Sequence, residues 1–172
     1  MSPPVFDYLH YIWRVLDGFR STHELWIARI RENDLSEFNW KSRSGRMLDL
    51  ANGRLRPQYR ILRAQGFWVC GIDIANYPKN HWQDYAYKIA RYLDSRYLSA
   101  SVPVVSDVLI CGDVSCLPFR DHAFDIITSV AAFEHFLEVP KVIKEMHRVT
   151  SPGGLVWVLV HLFSSPSGGH NV

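Results

Sequence analysis

From Met47 onward, the sequence alternates short apolar runs with segments of helical periodicity. The apolar runs predict five strands, at residues 47–50, 67–74, 107–111, 124–130 and 155–160. Most of these runs are apolar along their whole length, which is typical of strands that are buried on both faces of a parallel sheet. Helical patterns lie between them, including one over residues 139–149. The alternation predicts an α/β fold: a Rossmann-like, doubly wound, mainly parallel sheet with helices on both faces.

The first part of the chain shows a different pattern. Apolar residues recur at helical spacing over residues 6–16, which predicts an opening helix. The segment Ser21-x-x-Glu24 matches a capping box and predicts a second helix that begins there and ends near Ile30. The polar residues 33–45 then predict a connection to the first strand.

Length and composition narrow the possibilities further. A chain of 172 residues suits one globular unit, in which we expect residues 1–44 to form a helical cap and residues 45–172 the α/β domain. The net charge of +2 is too small to indicate a nucleic-acid partner. Because the sequence shows neither a membrane-length apolar run nor a secretory signal, we expect a cytoplasmic protein without a membrane partner. Three cysteines without paired ligand spacing predict neither a disulfide framework nor a metal site.

Polar and acidic residues stand where the predicted strands end. The first strand runs into Asp49 and Gly53, the second ends at Asp73, Asp113 follows the third, and Ser129 closes the fourth. Ligands of doubly wound sheets bind at these carboxyl ends. An acid after the second strand can accept the ribose hydroxyls of a nucleoside, in sheets that bind NAD as well as in those that bind adenosylmethionine. A solvated turn or a helix cap is the alternative for such a residue taken alone.

Six short motifs occur in order between about Gly45 and Val160. They are Asp49-Leu-Ala-Asn-Gly53, Gly71-Ile-Asp73, Gly112-Asp-Val-Ser-Cys-Leu-Pro-Phe119, Phe124-Asp-Ile-Ile127, Glu134-His135 and Pro152-Gly-Gly154. In this combination the chain resembles the class I S-adenosylmethionine-dependent methyltransferases of the small-molecule type. The resemblance implies S-adenosyl-L-methionine as the cofactor and a small molecule as the methyl acceptor.

The resemblance also implies a set of cofactor-binding residues at the strand ends: Asp49, Ala51, Asn52, Gly53, Asp73, Ile74, Asp113, Val114 and Ser129. Asp49 would lie near the ammonium group of the methionine moiety, and Gly53 would allow close approach of the backbone. Asp73 would bind the ribose diol. Asp113 would accept from the adenine amino group, with the backbone N–H of Val114 beside it.

Glu134 and His135 follow the fourth strand, near the position of the transferable methyl group in folds of this type. A histidine there could act as the general base for a hydroxyl or amine acceptor, because its pKa lies near working pH. The alternative is that the two residues begin a helix and only shape the pocket. Both residues are therefore candidate catalytic residues, and no metal is predicted.

The chain departs from the family pattern in its glycine loop and at its end. Of the three glycines in the family's loop, only the middle one is kept, because Ala51 and Leu55 replace the other two. Two alternatives follow: a variant loop that still binds the cofactor, or a degenerate, non-catalytic binding or assembly domain. A nicotinamide-dependent oxidoreductase is disfavoured because the Gly-x-Gly-x-x-Gly turn is absent. The two strands that usually follow the fifth strand are also missing from the pattern. Either the sequence is a fragment or a minimal variant of the fold, or the edge of the fifth strand is covered by the N-terminal helices, by a second copy in a homo-oligomer or by a partner chain.

Overall fold

Five parallel strands in one sheet form the centre of the protein. The structure, a computed structural model, describes residues 19–40, 45–53, 62–63, 66–74 and 108–160. Its strands are β1 (Arg46–Leu50), β2 (Trp68–Asp73), β3 (Val108–Cys111), β4 (Phe124–Val130) and β5 (Thr150–Leu159). They are hydrogen-bonded in the order β3-β2-β1-β4-β5, and every neighbouring pair is parallel. The predicted Rossmann-like sheet is confirmed.

The structure changes the predicted start of β5. A turn at residues 152–154 was expected to lead into a strand over 155–160, but β5 begins at Thr150, directly after the preceding helix. The pairing with β4 shifts between Phe124 and Ile126, and Gly153 has a φ of +73°. The Pro-Gly-Gly segment is therefore an irregularity inside the strand, where glycine permits the left-handed backbone.

One face of the sheet is covered by helix α2 (Val139–Val149). Its buried side chains recur at positions i, i+4 and i+7, as expected for a helix with one apolar stripe: Val142, Met146 and Val149. They share a core cluster with residues that alternate along the strands, among them Leu48, Leu50, Cys70, Ile72 and Ile127. The helix predicted over residues 139–149 is confirmed.

The opposite face is covered by helix α1 (Phe19–Ser36), which is longer than the sequence predicted. The predicted capping box at residues 21–24 lies inside α1, and the helix continues past Ile30 because Leu35 extends its buried face. Ile27, Leu35 and the following Trp40 share a core cluster with strand residues such as Met47, Val69, Ile126 and Trp157. The prediction of a helix over residues 6–16 lies outside the described residues.

β5 is the last strand of the described sheet on its side. Its residue Val156 and the following Val160 are 46% and 39% exposed. None of the helices in the described part of the chain is long and apolar enough to cross a membrane.

Candidate functional site

The carboxyl ends of β3, β2, β1 and β4 lie side by side at one edge of the sheet. In the register, Asp49 of β1 pairs with Gly71 of β2, and Asp73 of β2 pairs with Cys111 of β3. Because neighbouring strands are about 4.8 Å apart, the ends of β1 and β3 are separated by roughly 10 Å. The sheet therefore brings Asp49, Asp73 and the residue after β3, Asp113, to one edge.

Asp49 is a buried carboxylate, with 2% of its surface exposed. Its Oδ1 accepts a hydrogen bond of 3.0 Å from the hydroxyl of Thr128, the β4 residue opposite it in the register. Thr128 is fully buried, so this bond fixes the carboxylate from within the sheet. Sequence reasoning missed Thr128, because its role is visible only once β1 and β4 are known to be neighbours.

The loop after β1 closes onto β2 through two hydrogen bonds. The N–H of Ala51 donates to the carbonyl of Ile72 at 2.8 Å, and the N–H of Gly53 donates to Asp73 Oδ2 at 2.8 Å. Both donors have left-handed backbone, with φ of +53° at Ala51 and +62° at Gly53. Such a conformation costs a residue with a Cβ roughly 1 kcal/mol, so Ala51 keeps the loop shape at a small loss. The altered third glycine position, Leu55, lies outside the described residues.

Asn52 fills the space between this loop and β2. It is 9% exposed, and its Nδ2 donates to the carbonyl of Gly53 at 3.0 Å. A Cβ on Gly71 would lie 2.8 Å from Asn52 Oδ1, so only glycine at this position admits the amide. Gly71 belongs to one of the six sequence motifs, but the sequence did not predict that it positions the site. The residue that packs against it, Asn52, cannot be identified from the spacing of residues along the chain.

Asp113 stands in a turn just beyond β3. Its Oδ1 accepts the backbone N–H of Ser115 at 2.8 Å, and this bond, followed by a second one from the Ser115 side chain, lowers the pKa of the carboxyl. The carboxylate itself is exposed, so it is ionised and accessible in this turn. The side chain of Val114 points into the core beside α2, which leaves its backbone as the part that a ligand could reach.

The remaining predicted cofactor residues have contrasting environments. Ile74 follows β2 and is 73% exposed, at the same edge as the acids. Ser129 is fully buried, and its hydroxyl donates to the carbonyl of Leu50 at 3.3 Å. The structure therefore ties the Ser129 side chain to β1, and any contact of Ser129 with a cofactor would come from its backbone. The cofactor-binding role of both residues stays a prediction.

Glu134 and His135 lie in a short 3-10 turn (Phe133–His135) that follows β4. Both carboxylate oxygens of Glu134 are buried and have no hydrogen-bond partner among the residues that the structure describes, whereas His135 is exposed. A buried acceptor without a donor is costly, so a ligand, a water molecule or an ion is needed to satisfy it. In the ranges that the structure describes, no three histidine, cysteine or acidic side chains gather as a metal-ligand set.

Together these groups can hold a ligand with a cation at one end and a nucleoside at the other. Asp49 supplies a buried negative charge beside a loop whose N–H groups are already fixed by β2. In the described ranges, nothing lies within 4 Å of the position that a Cβ on Gly53 would take, so these residues leave its backbone open to a ligand. A parallel sheet in this order, with acids on three neighbouring strand ends, defines a Rossmann-like nucleoside-binding domain.

Comparison with known families gives the class of enzyme. The family of the methyltransferase domain matches residues 48–158, more than half of the chain. The chain therefore belongs to this family, the class I S-adenosylmethionine-dependent methyltransferases. S-adenosyl-L-methionine is the cofactor of these enzymes, and the residues described above fit it. Family membership disfavours the nicotinamide-dependent oxidoreductase that the acid after β2 had left open.

Individual relatives agree with this assignment. The chain is 29% identical to 24-methylenesterol C-methyltransferase 2 of Oryza sativa subsp. japonica over 147 residues, which are 83% of this chain and 37% of that protein. It is 35% identical to demethylmenaquinone methyltransferase of Thermus thermophilus over 115 residues, which are 66% of this chain and 46% of that protein. The chain thus spans less than half the length of these two relatives.

A solved structure supports the fold. The crystal structure of the PH0226 protein from Pyrococcus horikoshii OT3 superposes with a TM-score of 0.51 and 30% sequence identity. The match covers 76% of this chain and 57% of that chain.

Proposed function

We propose that this chain transfers the methyl group of S-adenosyl-L-methionine to a small-molecule acceptor, and that it binds the cofactor across the ends of β1, β2 and β3. The observation that carries the proposal is the hydrogen bond of 2.8 Å between the Gly53 N–H and Asp73 Oδ2. This bond joins the loop after β1 to the acid after β2, which supports a nucleoside site built from these two parts.

Each acid serves a different part of the cofactor in this proposal. Asp49 attracts the ammonium group of the methionine moiety, because a buried carboxylate favours a cation that replaces its lost hydration. Asp73 accepts hydrogen bonds from the ribose hydroxyls, and Asp113 accepts one from the adenine amino group. The backbone N–H of Val114 supplies a donor to the base.

The bound cofactor supplies an electrophilic methyl group on a sulfonium, and the residues of the chain position the acceptor and exclude water. We assign Glu134 and His135 to the acceptor side. The buried carboxylate of Glu134, which has no donor among the described residues, is suited to accept a hydrogen bond from the acceptor. His135 is exposed next to it and can take a proton from a hydroxyl or amine nucleophile.

The names of the relatives support a small acceptor. The rice protein is named for a methylenesterol and the Thermus protein for demethylmenaquinone. Both are low-molecular-weight, largely apolar molecules. A net charge of +2 gives no support to a polyanionic acceptor.

Calorimetric titration with S-adenosylhomocysteine tests the cofactor site without knowledge of the acceptor. We expect wild type to bind and Asp73→Asn to bind roughly 10- to 100-fold more weakly, because the amide keeps an acceptor for Gly53 but turns a donor toward the ribose hydroxyls. Cys116→Ala, which changes an exposed thiol, should bind as wild type does.

The two ways in which this test can fail are distinct. Absence of any heat or thermal shift with wild type at millimolar ligand would favour a degenerate binding or assembly domain. Equal affinities of wild type and Asp73→Asn would contradict the role of Asp73 alone.

A further inference from the structure

Arg148, in the last turn of α2, donates five hydrogen bonds, three to the connection between β3 and β4 and two to Glu145 of the same helix. Its Nη1 donates to the carbonyl of Phe119 at 2.7 Å and to Asp121 Oδ1 at 2.8 Å. Its Nη2 donates to the carbonyl of Leu117 at 3.0 Å. Nη2 and Nε together donate to both oxygens of Glu145, at 2.7 and 2.8 Å. A lysine cannot reproduce this planar, forked contact.

Glu145 completes the contact with the same connection. Its Oε2 accepts the N–H of Leu117 at 2.7 Å, so the two α2 side chains bind both the N–H and the carbonyl of one residue. The Leu117 side chain is 4% exposed and lies in the core cluster beside α2. Glu145 and Asp121 raise the pKa of Arg148, so the guanidinium stays charged. We call Arg148 and Glu145, which together hold Leu117, the α2 clamp.

The clamped residue follows directly after the turn that carries Asp113. The N–H of Cys116 donates to the carbonyl of Asp113 at 3.1 Å, and the N–H of Ser115 donates to its carboxylate at 2.8 Å. The turn is thus closed upon itself and is anchored to α2 at Leu117. The position of the Asp113 carboxylate therefore depends on where the clamp holds Leu117.

We propose that Arg148 is a positioning residue that acts through Glu145 and Leu117 to orient Asp113 toward the adenine base of the cofactor. The inference rests on the proposed function, in which Asp113 accepts the adenine amino group. In this proposal, α2, which packs on the face of the sheet, determines the selectivity of the site for adenine over other bases.

A clamp that is only structural would have a different effect on ligand binding from a clamp that orients Asp113. If Arg148 only held α2 against the sheet, its loss would lower stability and weaken every part of the cofactor site alike. If it orients Asp113, its loss would reduce the preference for adenine over a base that has no amino group. The ratio of two affinities in a folded variant separates these roles.

The test uses calorimetric titration of S-adenosylhomocysteine and S-inosylhomocysteine, whose base has a carbonyl in place of the amino group. We expect wild type to prefer the adenosyl ligand about ten-fold, the worth of one hydrogen bond. Arg148→Lys should reduce this preference to about two-fold, because one amine cannot hold Leu117 and Glu145 together. Arg120→Lys, an exposed arginine in the same connection, is the matched control and should keep the wild-type preference.

Should Arg148→Lys fail to fold, Glu145→Gln replaces it, since the amide keeps an acceptor for the Leu117 N–H. Glu145→Gln should reduce the preference for the adenosyl ligand from about ten-fold to about three-fold. An unchanged preference in a folded clamp variant would overturn the inference and leave the proposed function standing. Wild type that binds both ligands equally would overturn the adenine contact of Asp113 and the inference with it. Wild type that binds neither would overturn the proposed function as well.

Discussion

At the scale of single residues, the most unusual group is the carboxylate of Glu134. Both of its oxygens are buried, and no group in the described part of the chain donates a hydrogen bond to them. An unsatisfied buried acceptor destabilises a folded protein by roughly 1–3 kcal/mol. A ligand or substrate that supplies the missing donor would satisfy the group, and function of this kind is often kept at the expense of stability.

Because the buried carboxylate of Glu134 is left unsatisfied by the described residues, we predict that replacing it with an apolar side chain stabilises the ligand-free protein. We expect the free energy of unfolding to rise by about 1 kcal/mol in Glu134→Met, because the apolar side chain has no acceptor to desolvate. Urea unfolding at pH 7 measures the change. Glu138→Gln, which alters an exposed carboxylate paired with Lys141, should change stability by less than about 1 kcal/mol.

The same variant separates stability from function. Glu134→Met should bind S-adenosylhomocysteine as wild type does, because Glu134 is assigned to the acceptor. A less stable Glu134→Met protein would show that the carboxylate has a partner in the folded chain and would contradict its assignment.

Residues of the site differ in how far the sequence could predict them. Asp49, Asp73 and Asp113 were found because each stands at a strand end, and strand ends can be read from the chain itself. Thr128 and Gly71 were not found, because their roles come from neighbours across the sheet. Such contacts depend on strand order and register, which a single sequence does not contain.

At the scale of elements, the two described helices show why the bounds of α2 were predicted correctly and the end of α1 was not. The buried positions of α2 are all apolar, so its stripe is visible in the sequence. The buried face of α1 includes Arg31, which is 0% exposed and lies 5.8 Å from the Trp40 ring and 5.9 Å from the Trp157 ring. A charged residue on the buried face interrupts the apolar pattern, and only the tertiary contacts show that the aromatic rings accommodate it.

The link between α2 and the β3–β4 connection should depend on pH. The hydrogen bond from Arg148, followed by the one from the Leu117 N–H, lowers the pKa of Glu145 below its ordinary value of 4.5. The ionised carboxylate therefore stabilises the fold at pH values above 4.5, and this contribution is lost as the pH falls through the lowered pKa.

We predict that Glu145→Gln lowers the free energy of unfolding by about 2 kcal/mol at pH 6, because it removes charge-assisted hydrogen bonds. The difference from wild type should shrink steadily below pH 4.5, as wild type loses the same charge. Urea unfolding at several pH values measures it. Glu37→Gln, an exposed carboxylate after α1, should show neither effect. A stability difference that stays constant down to pH 2 would contradict the linkage.

At the scale of the whole molecule, α1 could be either a separate cap or a part of the main core. The Trp157 Nε1–H of β5 donates to Asp34 Oδ2 of α1 at 2.8 Å, across 123 positions of the chain. Ile27 and Leu35 of α1 share one core cluster with residues of β1, β2, β4 and β5. Contacts of this kind between distant parts of the chain favour one cooperative unit.

The last prediction tests this unity at Trp157. Trp157→Phe keeps an aromatic ring in the core but removes the donor to Asp34, and we expect it to lower the free energy of unfolding by about 2 kcal/mol. Trp26→Phe, at a position of α1 that is 55% exposed, should have a much smaller effect. If α1 and the sheet fold as one unit, far-UV circular dichroism and tryptophan fluorescence will report a single urea transition, which Trp157→Phe shifts as a whole. Two separate transitions, of which only the first moves, would show that α1 unfolds independently as a cap.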